Sequence, residues 1–159
     1  MGKKLDQIPE SVVLDGIGAP RREAIVKGYI VDYYCDDAIV LTYVHDTTRE
    51  VADAFVASSN AYVNACKSAG RPLFYGLIVG AFMLSPYMQQ RNKEVIEIIK
   101  EMHGRGAYVF EPSPFRIVMQ NSALVYNRKI LSHIDIQPFK SAEEALRWLY
   151  EGYTEWQAQ

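Results

Sequence analysis

The chain is poor in groups that would announce a chemistry. Its 159 residues include two cysteines and three histidines. Cys35 and Cys66 fall on different predicted elements with no C-x-x-C between them, which suits free thiols in a reducing compartment. No two of His45, His103 and His133 stand at i,i+4, so a helical metal-ligand pair is excluded and no metal is expected. The formal net charge is −2, and no Lys/Arg run exceeds Lys3-Lys4 or Arg21-Arg22. That leaves no electrostatic footprint for nucleic acid, and none is expected as a partner. The longest apolar stretch, Leu73 to Leu84, is too short to span a bilayer. No apolar segment follows Lys3-Lys4 as a secretory signal requires. A cytoplasmic protein without a membrane partner is the expectation. The nucleophile-elbow, Walker A and H-E-x-x-H patterns are all missing, and Gly16-x-Gly18 lacks the third glycine of a dinucleotide fingerprint. Neither an enzyme nor a cofactor is expected.

What is present is an ordinary globular composition, long enough for one domain with its own core. The organising stretch runs from Leu73 to Gly106. Leu73-Phe74-Tyr75-Gly76-Leu77-Ile78-Val79-Gly80-Ala81-Phe82 is an almost unbroken apolar run, which marks a central parallel strand covered on both faces. Ser85-Pro86 then opens a helix, with Ser85 as N-cap and Pro86 at the first helical position, where its missing N–H costs nothing. Val95, Ile96, Ile99 and Met102 keep the helical period until Gly104 and Gly106, which predict its stop.

Met1 to Lys27 is broken by Gly16, Gly18 and Pro20 and reads as an N-terminal extension (1–27) wrapping a single domain (28–159), with a short strand or helix around Glu10–Leu14. Tyr29–Cys35 and Ala38–Val44 are β-branched and aromatic runs separated by Asp36-Asp37, a tight hairpin. Thr47 and Glu50 predict a capping box, followed by a stripe of Val51, Ala54, Phe55, Ser58, Tyr62, Ala65 and Cys66. Ala107–Glu111 reads as a strand, and Ser113-Pro114 as a second Ser-Pro helix start. Ile134–Phe139 contains Pro138, which suits an edge strand. Ser141 and Glu144 cap a final helix. The predicted order, ββαβαβαβα, is an α/β sandwich with a mixed sheet of about five strands.

This order resembles the STAS family of anti-sigma-factor antagonists and sulfate-transporter cytoplasmic domains. The residues that carry the likeness are the hairpin, Leu77-Ile78-Val79, the Ile98–Gly106 segment before Ala107-Tyr108-Val109, the Ser113-Pro114 helix start, and Phe139-x-Ser141-Ala142-Glu143-Glu144-Ala145-Leu146-x-x-Leu149. The resemblance implies a non-catalytic regulatory domain in bacterial signalling that binds a protein partner, an anti-sigma factor or a kinase. Its phosphorylated members carry an Asp-Ser-Ser/Thr-Gly sequence where the helix after the central strand begins. The matching positions here, Met88-Gln89-Gln90-Arg91, hold no Asp, Ser, Thr or Gly, so the phosphoacceptor motif is absent.

The start of that helix, with Ser85, Gln89, Gln90 and Arg91, is the predicted partner surface. Ser85 reads as an N-cap in preference to a substitute phosphoacceptor, and Arg91 and Arg116 as surface cations in preference to an anion clamp. The alternative function is a small-molecule or lipid-binding module, with a pocket between sheet and helices lined by Phe74, Phe82, Met83 and Phe115. A third arrangement would join His45 and Asp46 to His133 and Asp135 at strand ends. The hairpin tyrosines, with Tyr150, Tyr153 and Trp156 near the C-terminus, read either as a dimer seam or as packing within the chain; a homodimer is expected.

Overall fold

Two runs of β-branched and aromatic residues make the antiparallel strands β2 (Tyr29–Tyr34) and β3 (Ile39–Val44), almost wholly buried. The computed structural model describes residues 9–80, 85–110 and 127–159. The loop between β2 and β3 is longer than a two-residue turn. Cys35, Asp36 and Asp37 all have positive φ, and Ala38 N–H closes the loop on Cys35 C=O at 3.1 Å. The expected extension contributes a strand of its own, β1 (Arg21–Val26), antiparallel to β2. Its outer position explains the composition that hid it: Arg21, Arg22 and Glu23 suit an edge strand that must not pair with another chain. The short element expected at Glu10–Leu14 is instead irregular chain ending in an isolated bridge between Leu14 and Gly18.

The remaining strands are β4 (Leu73–Val79), β5 (Gly104–Phe110) and β6 (Ile134–Phe139), each parallel to its predecessor from β3 onward. Among the described residues the sheet is mixed and has six strands in the order β1-β2-β3-β4-β5-β6, one more than expected. β4 lies between two parallel neighbours, as its unbroken apolar run requires. Gly104 opens β5 rather than ending the helix before it. Its φ is 140°, and a Cβ there would sit 1.9 Å from Leu73 C=O, so only glycine lets β5 approach β4 at this point.

Helix α1 (Arg49–Ala69) starts one residue later than predicted. Thr48, not Thr47, is the N-cap and accepts from Val51 N–H, so Glu50 makes no capping box. The buried stripe is rotated accordingly: Ala52, Val56, Ser59 and Val63 are buried, whereas Ala65 is exposed. Helix α2 (Pro86–Ile99) has the expected Ser85 cap, whose Oγ accepts from Met88 N–H at 3.1 Å. Residues 127–130 are helical and are labelled α3. Helix α4 (Ala142–Gln157) is capped by Ser141, and Glu144 reaches back to Lys140 N–H at 3.2 Å. The predicted Ser113-Pro114 helix start, Arg116, and three of the four predicted pocket residues (Phe82, Met83 and Phe115) lie outside the described residues.

The two faces of the sheet carry separate cores. On one, α1, α2, Ile130 and Leu131 pack over Tyr29, Val31, Val40, Leu73, Ile134 and Ile136. On the other, α4 and Leu14 pack over Ile30, Leu41, Phe74, Ile78, Ala107 and Val109. Gly76 and Leu149 mark the close approach of α4: a Cβ on Gly76 would lie 3.4 Å from Leu149 and 2.4 Å from Leu41.

Candidate functional site

The predicted partner surface begins at the C-terminal end of β4. Ser85 Oγ caps α2 and reaches Thr47 C=O at 3.3 Å, tying the start of α2 to the loop before α1. Gln89 and Gln90 are exposed on the next turn, and Arg91 is half-buried against α1. Arg91 Nε lies 3.3 Å from Asp53, and its Nη1 lies 2.7 Å from Glu94. Tyr87 bonds Asp53 as well, and the Arg49 guanidinium stacks 4.6 Å above the Tyr87 ring. Ser85, Gln89, Gln90 and Arg91 therefore lie within the first two turns of α2, with Arg91 turned toward α1. Arg91 sits within a band of alternating charge along the seam between α1 and α2, rather than standing as a bare cation for an anion.

Phe74 sits on the other face. It is buried against α4, with its ring 5.9 Å from Tyr153 in an edge-to-face pair. A cavity does exist between the sheet and the helices, under α1 and α2. It is lined by Phe55, Tyr75, Leu77, Val95, Tyr108 and Ile136 among others, and Phe74 does not reach it. Its volume is about 40 Å³. That space holds a few water molecules and is far below the roughly 300–1,000 Å³ of a typical ligand pocket.

The strand-end constellation does not assemble. β3 to β6 are all parallel. His45 follows the C-terminal end of β3, whereas His133 precedes the N-terminal end of β6, so the two lie at opposite ends of the sheet. The aromatic residues near the C-terminus pack within the chain: Tyr153 contacts Phe74, Tyr150 and Trp156, and Tyr34 donates to Val12 C=O at 2.7 Å. Burial and the neighbouring Asp36 push the Cys35 thiol up, away from a reactive thiolate. Cys66 is fully buried.

One polar cluster was not foreseen. Asp32 is completely buried on β2 and takes a two-pronged ion pair from Arg22 on β1, Nε at 2.7 Å and Nη2 at 2.9 Å. Arg22 also donates to Pro9 C=O and lies over the Tyr43 ring at 5.8 Å. The Tyr43 hydroxyl is buried and has no hydrogen-bond partner among the described residues. The signal in the sequence was Asp32 itself, the one charge inside the run Tyr29–Cys35. An acid there needs a cation on a neighbouring strand, and that strand was hidden in the extension.

A comparison of the chain with protein-family models, curated proteins and solved structures returns no match. Among the described residues no helix is long and apolar enough to cross a membrane.

Proposed function

We propose that the chain is a non-catalytic regulatory domain, STAS-like in kind, that acts by binding a protein partner through the start of α2. The observation that carries this reading is the strand order. In open α/β enzymes the ligand crevice forms where strand order reverses and successive crossovers pass to opposite faces. Here the spatial order of the strands is their chain order throughout. The described parts of every crossover, α1, α2 and Ile130-Leu131, pack on the same face. The described sheet thus has no reversal at which such a crevice would open. At the α1–α2 seam Arg91 pairs with Asp53 and Glu94, next to the exposed Gln89 and Gln90.

Partner binding in a cytoplasmic bacterial signalling pathway, an anti-sigma factor or a kinase being the partner class, belongs to the same reading, as does self-association into a homodimer. Native mass spectrometry of the protein purified gently from its own cells tests it. A dimer mass, or a complex with a second polypeptide, agrees with the reading; a small-molecule increment replaces it with the ligand-binding alternative. Once a partner is in hand, alanine at Gln89, Gln90 and Arg91 is expected to weaken it at least tenfold, and unchanged affinity removes this surface.

A further inference from the structure

Two parallel strands place residues of equal register side by side. β5 and β6 begin in register, Gly104 opposite Ile134, and the residue before each is a histidine. Extending the register by one place sets His103 beside His133. Their ring centres are 4.9 Å apart with the planes inclined at 36°, and both side chains are exposed. An imidazole bound through one nitrogen at about 2.0–2.1 Å holds its ring centre about 3.2 Å from the metal. Two such rings around one ion are therefore about 5.2 Å apart at the tetrahedral angle and about 4.5 Å apart at a right angle. The observed separation lies between these limits.

We propose that His103 and His133 form a two-imidazole clip for a divalent transition metal of the nickel, copper and zinc group. Imidazole nitrogen suits these ions, whereas magnesium and calcium require oxygen. Among the described residues no group of three or more His, Cys, Asp or Glu gathers that could hold a metal. The remaining coordination positions therefore fall to water or to an incoming ligand. The clip has a structural consequence. Among the described strands β6 is paired on one side only, and a metal bridging the residues just before β6 and β5 fastens that edge. The site is at the N-terminal ends of the parallel strands, away from Ser85 and the partner surface, and does not depend on the proposed function.

Calorimetric titration of the full, untagged chain with zinc chloride, repeated with nickel chloride, tests the clip. One ion per chain is expected, with His103→Ala and His133→Ala each weakening binding at least tenfold. His45→Ala, at the far end of the sheet, leaves binding unchanged. Saturating zinc raises the melting temperature of the parent and of His45→Ala, and not that of the other two variants. Retention of parent affinity in either His103→Ala or His133→Ala, or equal loss in all three variants, overturns the proposal.

Discussion

Beneath α1 and α2, the buried tyrosine hydroxyls meet neutral partners. Tyr29 bonds Ser58; Tyr75 lies 3.1 Å from Ser59 Oγ and 3.2 Å from Thr42 Oγ1; Tyr108 accepts from Asn127 at 2.6 Å. Tyr62 donates to Ala38 C=O at 2.7 Å. On the opposite face, where α4 shares the cover with irregular chain from Pro9 to Gly18, buried Asp32 is held in an ion pair by the partly buried Arg22, the Tyr34 hydroxyl donates to Val12 C=O, and the Tyr43 hydroxyl has no described partner. A long helix brings serines at fixed spacing to meet hydroxyls on the sheet. Irregular chain brings backbone carbonyls, and Pro9 and Val12 supply them to Arg22 and Tyr34. The face covered by α1 and α2 thus relies on side chains placed by periodicity. The other relies on a charge pair that attaches a loose segment to the edge of the sheet.

The largest expected effect comes from breaking the charged side. Asp32→Ala leaves the partly buried Arg22 without its carboxylate, and a loss of about 2–3 kcal/mol is expected in urea unfolding. Replacing both partners together, Arg22→Met with Asp32→Leu, recovers most of that loss because no charge is left unpaired. A double variant as unstable as the single one would mean that the pair's worth lies elsewhere. Alkaline pH attacks buried tyrosines on both faces, Tyr34 and Tyr43 being pushed up by burial too, and Tyr75 reports the hydroxyl-rich side. Burial pushes Tyr75 up to about 12 from an ordinary value near 10. The folded protein then holds that proton more tightly than the unfolded chain does. Stability is full below about pH 10 and falls as pH rises toward about 12, by about 2–3 kcal/mol for this one group. Circular dichroism across that window, with Tyr75→Phe as the variant that flattens the slope, checks the sign. At neutral pH Tyr75→Phe is expected to cost about 1–2 kcal/mol, since Ser59 and Thr42 lose a partner. The same change at Tyr43 removes a buried hydroxyl with no described partner, and is expected to change stability by less than about 0.5 kcal/mol or to raise it. Equal losses for the two Tyr→Phe variants would erase the contrast between the faces.

The sequence was most legible where one physical signal acted alone. The apolar run that opens at Leu73 could only be central, and Ser85-Pro86 could only open a helix; the helix starts where expected, and the strand is central but ends at Val79, short of the expected Phe82. It was least legible where signals competed. Arg21-Arg22-Glu23 stays within the unassigned N-terminal extension because charge masks strand propensity on an edge. Thr47 and Thr48 are both competent caps, and only the position of Val51 N–H decides between them. Gly104 was read as a helix stop because glycine serves both that role and close backbone approach. Of the site, the grouping of Ser85, Gln89, Gln90 and Arg91 follows from helical spacing, whereas the pairing of Arg91 with Asp53 needs the packing of α1 on α2. The meeting of His103 and His133 was hidden for another reason. It depends on parallel register between two strands whose starts had not been placed to the residue.

The strand order bears on how the molecule comes into being. Each strand pairs with the strand just before and just after it in the chain, so none is inserted between two that are already joined. Contacts of this kind carry modest loop-closure costs, because at most one crossover separates any two partners. During synthesis, the hairpin of β1 and β2 is available first among the described strands, and each later strand adds to one growing edge as it emerges. The face that buries Phe74, Ile78 and Leu41 waits for α4, which follows every described strand in the chain, to close over it. Until then that face is the nascent chain's exposed liability, and a truncation before Ala142 would leave it permanently open.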